Sequence, residues 1–421
     1  MKDIYIVGAF STPFGKHPDK SFKDLTRVAY MGVLADAGLA SGTDIGAAWF
    51  GNILMSYWGL HSLRGNTCFV PLVREGLFPD RSPIFNIEAG CATGTMAILA
   101  AVADVLSGTT DLALAIGVEK LYDPANPGGI FPLFNGHDPW DPQEWQSHYR
   151  EVGEYVGKPF VTSPDRTVNM DTYAMQALLH MKQFGTTAEQ IAIGAAKNHC
   201  NGALNPNAQY RFTLTPEQVL GDRMVSEPLT RAMCAPMGDG AAAALVCSGD
   251  FLKSQPQQVR RRAIRLTGFG RAGGKYRSYD EPSLTRSDAT RAYQMAGRSP
   301  SDIQIAELHD ATSFCEIYQC EMMGFCRDGE GGPFVGSGAT KLDGSLPINT
   351  SGGLVSKGHP LGATGISMCH ELVLQLRGEA GERQVRNASI ALQENGGGVV
   401  GLEEFVATVL IYEANSDLKG S

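Results

Sequence analysis

The chain lacks any apolar run that approaches the roughly 20 residues a membrane-spanning helix needs, so no membrane partner is expected. It lacks a basic excess. The 35 Lys and Arg stand against 44 Asp and Glu, a net charge of −9, which argues against nucleic acid as a main partner. The one basic run, Arg260-Arg261-Arg262, follows Gln255-Pro256-Gln257-Gln258 and reads as a solvated linker. Paired CxxC spacing is absent among the nine cysteines, so reduced thiols and a cytoplasmic location are expected. No metal-ligand spacing is present, and no metal is expected. Ile4–Val7 already reads as a strand, which leaves no signal peptide in view. The final Lys419-Gly420-Ser421 is not a Ser-Lys-Leu address.

What is present is an ordinary globular composition, 43% apolar and 19% charged over 421 residues. That length suits two or three units. The most informative stretch runs from Asn86 through Gly90-Cys91-Ala92-Thr93-Gly94. A β-type run, Ser82–Ile87, leads into a small-residue and then apolar helical pattern ending near Leu106. Cys91 therefore falls on a strand-to-helix elbow, where free N–H groups and the positive helix end meet. Both favour a thiolate, so the position suits a nucleophile. A buried structural cysteine is the plainer alternative.

Strand-like and helix-like segments alternate from the start: Ile4–Val7, Phe22–Ala37, Ala47–Met55, Thr67–Gly76, then the Cys91 elbow and Leu112–Ile116. This order predicts a mostly parallel, helix-covered sheet. From about 121 to 235 the texture changes. Asp123–Pro142 is irregular, Asp171–Gln183 and Ala188–Cys200 read as helices, and Ala203–Pro216 is irregular again. Such a block reads as a covering insertion. Core-like texture resumes at Gly238-Asp239-Gly240. A second half begins near Ala263. It has strands at Ala263–Gly268 and Ile303–Leu308, and helices at Ser287–Ala296, Ser313–Met323 and Ala363–Arg377. The helix at Ser287 takes its capping signal from Ser287-Asp288. Strands at Ala388–Leu392 and Val399–Ile411 close the chain. Ala92-Thr93-Gly94 and Ala363-Thr364-Gly365 echo each other at an offset of 363 − 92 = 271 residues. Two similar halves would set these helix openings face to face. Gly268-Phe269-Gly270-Arg271-Ala272-Gly273 fits a GxGxxG pattern, but no apolar helix follows, so the dinucleotide reading fails.

Three motifs together, Gly90-Cys91-Ala92-Thr93-Gly94, His309-Asp310 and Gly358-His359-Pro360-Leu361-Gly362-Ala363-Thr364-Gly365, resemble the thiolases of the sterol-carrier-protein type. The resemblance runs from Ile4 to beyond Gly398. It implies an α/β thiolase fold of five αβαβα layers, with two duplicated βαβαβαββ halves. The halves would be residues 1–120 with 236–260, and 261–421, with a loop domain at 121–235. It implies an acyl-CoA C-acyltransferase that makes or breaks a C–C bond through an acyl-cysteine. Coenzyme A and acyl-CoA enter as substrates, with no bound cofactor. By resemblance Cys91 is the nucleophile, His359 activates it, and His309 helps hold an enolate oxygen. The backbone N–H groups of Cys91 and Gly396 would form a second oxyanion hole. A homodimer, or a dimer of dimers, is expected.

The pattern departs at one point. The family's second thiol is missing, because His309-Asp310 is followed by Ala311-Thr312, and the stretch Leu392-Gln393-Glu394-Asn395 that precedes the C-terminal glycines holds no cysteine. Glu394 is a candidate for the lost acid/base, and an exposed or paired strand-end glutamate is the plainer reading. Cys315 reads as core. His61 and His148 are candidates for the substrate pocket. The missing thiol leaves open a condensing subunit on an aromatic acceptor working beside a small OB-fold, zinc-ribbon protein, and a non-catalytic scaffold.

Overall fold

The computed structural model describes residues 2–134 and 136–415, so the C-terminal tripeptide lies outside the described residues. The first half lays down β1 (Ile4–Ser11), α1 (Phe22–Ala37), β2 (Ala47–Gly51), α2 (Arg64–Arg74), β3 (Ile84–Ile87), α3 (Thr93–Ser107) and β4 (Leu112–Glu119). The covering block follows with α4 (Pro142–Val156), α5 (Val168–Phe184), α6 (Ala188–Ala203), α7 (Pro216–Leu220), β5 (Met224–Ser226) and β6 (Leu229–Thr230). The chain returns as β7 (Gly240–Ser248), α8 (Gly249–Ser254) and α9 (Gln257–Arg262). The second half holds β8 (Ile264–Gly273), α10 (Leu284–Ala296), β9 (Ile305–Glu307), α11 (Ser313–Met322), α12 (Gly331–Gly336), α13 (Gly353–Lys357), α14 (Leu361–Arg377), β10 (Ile390–Gly397) and β11 (Val406–Ala414).

Strand side chains alternate between faces, and that alternation builds the layers. In β7, Ala242, Ala244 and Val246 enter one core while Ala241, Ala243, Leu245 and Cys247 enter another. In β11, Leu410 and Tyr412 join the first core, and Val409 and Ile411 join a third. The shared first core is filled by α3 and α14, which lie between the two halves. The second core carries α1 and α2. The third carries α6, α10 and α11. The result is the expected five-layered αβαβα order.

The strand order is β3-β2-β4-β7-β1-β8-β11-β10-β9, with the halves joined by three residue pairs between β1 and β8. The expectation of a mostly parallel sheet is corrected. β2 runs parallel to β3 and β4, and β9 to β10, while the other five pairings are antiparallel. The return of the chain from the covering block reverses β7 relative to β4. The GxGxxG stretch lies inside β8, as a ladder strand rather than a phosphate loop. Two further expectations shift. Ser283, not Ser287-Asp288, caps α10, and α4 stands where no helix was read.

The openings of α3 and α14 do face each other, and glycine makes this possible. A Cβ on Gly94 would lie 3.0 Å from Gly362 O and Gly365 N, and one on Gly117 would lie 1.8 Å from Gly362 O. Gly117→Ala is therefore expected to cost about 3 kcal/mol through overpacking, read as a lower urea midpoint. The stretch Gly90–Ser107 corrects one more reading. It has 18 residues of mean hydropathy 1.5, enough for a span by length and composition. Its position between the two halves accounts for that apolarity, since α3 packs against α14 and shares one core with strands of both halves.

Candidate active site

Cys91 sits where expected, between the end of β3 and the start of α3. The elbow is braced by Thr93, whose hydroxyl accepts from Ala89 N–H at 2.9 Å and donates to Gly90 O at 2.6 Å. Gly90 takes φ +54°, a conformation glycine adopts without strain. Its bare Cα lets Gly398 approach, since a Cβ there would lie 2.7 Å from Gly398 N. The N–H groups of Gly398 and of Cys91 itself both act on the Cys91 thiol. This corrects the glycine assigned to the hole. Gly396 is locked in the β10–β11 ladder opposite Ala407, and Gly398, beyond the ladder, is the one that meets Cys91.

His309 follows β9, and its ring is fully buried. Burial pushes it down to about 3. Its Nδ1 lies 2.9 Å from Asn395 Nδ2. His359 lies on the turn between α13 and α14. Its Nδ1 lies 2.8 Å from Thr364 Oγ1, whose hydroxyl also reaches Pro360 O at 3.1 Å. Burial, then the nearby His309 and Lys357, hold His359 well below the usual imidazole range. The two rings stand 5.3 Å apart at 71°. A reactive atom from each of Cys91, His309 and His359 falls within 4.8 Å of the others. The Nε2 of both histidines is buried with no protein partner.

Two buried acids flank His309 and hold the segment that leads to His359. Glu307 accepts from Ser351 N at 3.0 Å and Ser351 Oγ at 2.6 Å. Asp310 accepts from Leu354 N at 2.6 Å and from Asn198 Nδ2 at 2.8 Å. Asp310 therefore anchors the neighbouring loop and does not pair with the His309 ring. Glu119 does similar work on the other side, accepting from Asn52 Nδ2, Ile53 N, Leu54 N and Gly362 N.

Burial pushes Cys91 up to about 12, against the pull of the two N–H groups. The expectation from sequence weighs the helix end and not the burial. Alkylation of Cys91 by iodoacetamide should thus climb steadily from about pH 6 to about pH 10. A plateau near neutral pH would instead reveal a resting thiolate–imidazolium pair.

Cys91 and His359 open into a cavity of about 540 Å³. Its apolar wall includes Phe131, Phe134, Met170 and Tyr173 from the covering block. Ala311, at the position of the missing thiol, also lines it. Cationic side chains at the same cavity are Lys16, Arg166, Arg223 and Arg231. Cys234 lines it too, on a segment bridged to Thr312. Neither Cys234 nor Tyr173 was singled out in the sequence, because only the folded covering block brings them there.

The remaining candidates lie elsewhere. Leu392 of β10 faces the outer core and Ala391 the inner one, so Glu394 faces outward with Leu392. Its Oε2 accepts from His309 N at 2.9 Å, and burial, then Glu404, hold its carboxyl well above the usual range. Glu394 stands behind His309 and does not line the cavity. His61 borders a separate hollow with Arg64 and Glu88, and His148 packs on Tyr149 and Tyr276. Neither lines the cavity that Cys91 and His359 share. Cys315 is core, as read. Trp145 packs α4 against Met175 and Leu179 of α5 within the covering block, and Trp140 is 93% exposed.

A layered fold that brings one cysteine at a helix opening to two histidines defines a thiol enzyme of the acyl-transferring class. The sequence matches the family description "Thiolase, N-terminal domain" over residues 4–223 and "Thiolase C-terminal domain-like" over residues 278–411. The chain belongs to the thiolase family and is an acyltransferase. It is similar to the acetyl-CoA acetyltransferase of Methanothermobacter thermautotrophicus, 36% identical over 406 residues, with 95% of this chain and 98% of that one covered. It is also similar to human sterol carrier protein 2, 31% identical over 415 residues, covering 95% and 71%. Among solved structures, "Ltp2-ChsH2(DUF35) aldolase" superposes with a TM-score of 0.76 at 21% identity over 99% of both chains. Human mitochondrial 3-ketoacyl-CoA thiolase in complex with CoA gives 0.65 at 19%, over 99% of this chain and 98% of that one. At such identities the structures speak for the fold alone.

Proposed function

We propose that the chain makes or breaks a C–C bond in an acyl-CoA through an acyl-Cys91 intermediate. The observation that carries this is the convergence of Cys91, His309 and His359 within 4.8 Å beside an apolar cavity. In the cleavage direction, His359 Nε2 takes the thiol proton as Cys91 Sγ bonds to the 3-oxo carbon. The N–H groups of Cys91 and Gly398 hold that oxygen as it gains charge. The bond between carbons 2 and 3 then breaks, and its electron pair passes to the enolate of the leaving acetyl-CoA, held by His309. The proton on His359 returns to the enolate carbon, which closes the half-reaction without a second thiol. Coenzyme A then takes the acyl group, its thiol proton returning to Cys91 through His359.

Lys16 and Arg223 at the cavity favour a phosphate-bearing substrate such as CoA. Phe131, Phe134 and Met170, together with a small Ala311, favour a bulky acyl group. β3 is an edge strand with Phe85 43% exposed, and an uncovered edge of this kind supports pairing of two copies. A second reading is a subunit that works with a small OB-fold partner. What favours it is the missing thiol, together with the DUF35 component of the structurally similar Ltp2-ChsH2(DUF35) aldolase.

The test is intact-protein mass spectrometry after incubation with acetyl-, succinyl-, benzoyl- and long-chain acyl-CoA. A mass gain lost in Cys91→Ala supports the reading, and its size names the acyl class. No gain from any of the four, with candidate partners present, would favour the scaffold reading.

A further inference from the structure

His309 rests on a chain of buried hydrogen bonds that crosses from one half of the molecule to the other. Tyr412 Oη donates to Gln393 Oε1 at 3.0 Å. Gln393 Nε2 reaches Thr95 Oγ1 at 2.9 Å and Gly365 O at 2.8 Å. Thr95 Oγ1 lies 2.8 Å from Asn395 Oδ1. Asn395 Nδ2 lies 2.9 Å from His309 Nδ1 and 3.3 Å from Gly396 O. Tyr412, Gln393, Thr95 and Asn395 are each fully buried.

Two backbone carbonyls set the direction of this chain, because a carbonyl only accepts. Gly365 O requires the amide nitrogen of Gln393 to face it. That nitrogen's second hydrogen then goes to Thr95, so Thr95 must spend its own hydrogen on Asn395 Oδ1. Gly396 O independently requires the nitrogen of Asn395 on its own side. Both constraints give the same result. Asn395 donates to His309 Nδ1, so Nδ1 is the acceptor and the ring hydrogen sits on Nε2.

We propose that Asn395, oriented by Thr95 and Gln393, is a positioning residue that locks His309 in its Nε2–H form, so that His309 presents a hydrogen-bond donor to the substrate oxygen. His359 has the opposite arrangement. The Thr364 hydroxyl donates to Pro360 O and accepts from His359 Nδ1–H, which leaves the His359 Nε2 lone pair facing Cys91. The site thus holds one histidine as donor and one as acceptor. The role given to His309 rests on the proposed reaction, whereas the lock itself does not.

Asn395→Asp tests the lock, because a carboxylate of the same shape can only accept and demands Nδ1–H. Nitrogen NMR of 15N-histidine-labelled protein reads the tautomer directly, with His309 assigned by the signal lost in His309→Gln. The expected result is a pyridine-type Nδ1 in the wild type and a pyrrole-type Nδ1 in Asn395→Asp. With it should come a loss of about 10²-fold in kcat and an unchanged rate of Cys91 alkylation. A wild-type His309 carrying its hydrogen on Nδ1 overturns the proposal, and that spectrum decides even if the variant does not fold. The expected tautomers with an unchanged kcat would uphold the lock and overturn the part given to His309 in the reaction.

Discussion

Cys91→Ala is expected to lower kcat by about 10⁴-fold or more while leaving the fold intact. The side chain lies at a turn held by Thr93 and by close glycine packing, and neither depends on the sulfur. Alanine fits the space, so the thermal transition should stay close to that of the wild type. The chemistry has no substitute. Cys234 shares the cavity, but its Sγ donates to Thr230 O and it stands outside the group of Cys91, His309 and His359 that converges within 4.8 Å. His309 and His359 face the site without the group they serve. The loss should appear in kcat and not in acyl-CoA binding, which isothermal titration with a non-reactive CoA thioether would show. Turnover above a hundredth of wild type would mean that the reaction does not run through Cys91.

The second large effect lies behind the site, at Lys197. Its ammonium is buried, 2.8 Å from Glu316 and 2.6 Å from Ile348 O. Glu316 also accepts from Asn198 and Asn349. Asn198 passes the contact on to Asp310, and Asn349 accepts from Leu308 N. Lys197→Met would strip the cation from Glu316 and leave a charged carboxylate next to Asp310. Breaking one side of a buried pair costs about 3–5 kcal/mol, so the urea midpoint should fall sharply. Activity should fall as well, because Asp310 holds the segment before His359. Adding Glu316→Gln to Lys197→Met removes the stranded charge and should recover part of the stability. No recovery would show that Lys197 acts through packing rather than charge.

The sequence was most legible where chemistry forces residue type. The elbow, the two histidines and the duplicated helix openings all follow from short strings whose geometry is local. The alternation of strands and helices pointed to a helix-covered sheet, and the five layers were implied by the resemblance to the thiolases. Strand direction was not legible, since β–α alternation looks the same whichever way the chain re-enters the sheet after a long insertion. Helix α4 was missed because Pro142–Val156 has few apolar residues and Gly153 within it, so its buried Trp145 and Tyr149 gave only a faint period. Gly396 and Gly398 are indistinguishable in a run of three glycines until the ladder ends between them. Asn395 meets Thr95 from 300 residues away, and no local pattern announces a bond of that span. Cys91 was expected to ionise because the helix end is visible in the sequence, whereas its burial is not.

The duplication leaves the two helix openings unequal. An offset of 271 residues carries Cys91 to position 362, which is glycine. There the backbone is pressed against the first half, and a Cβ would lie 2.6 Å from Gly51 O. The second opening thus serves as a close-packed contact with the first half and not as a reactive position. The two-fold plan therefore yields a single acyl station per chain, and a cysteine installed at 362 would have no room in which to work. Half-of-sites behaviour, if it occurs in an assembly of these chains, must arise between subunits and never within one.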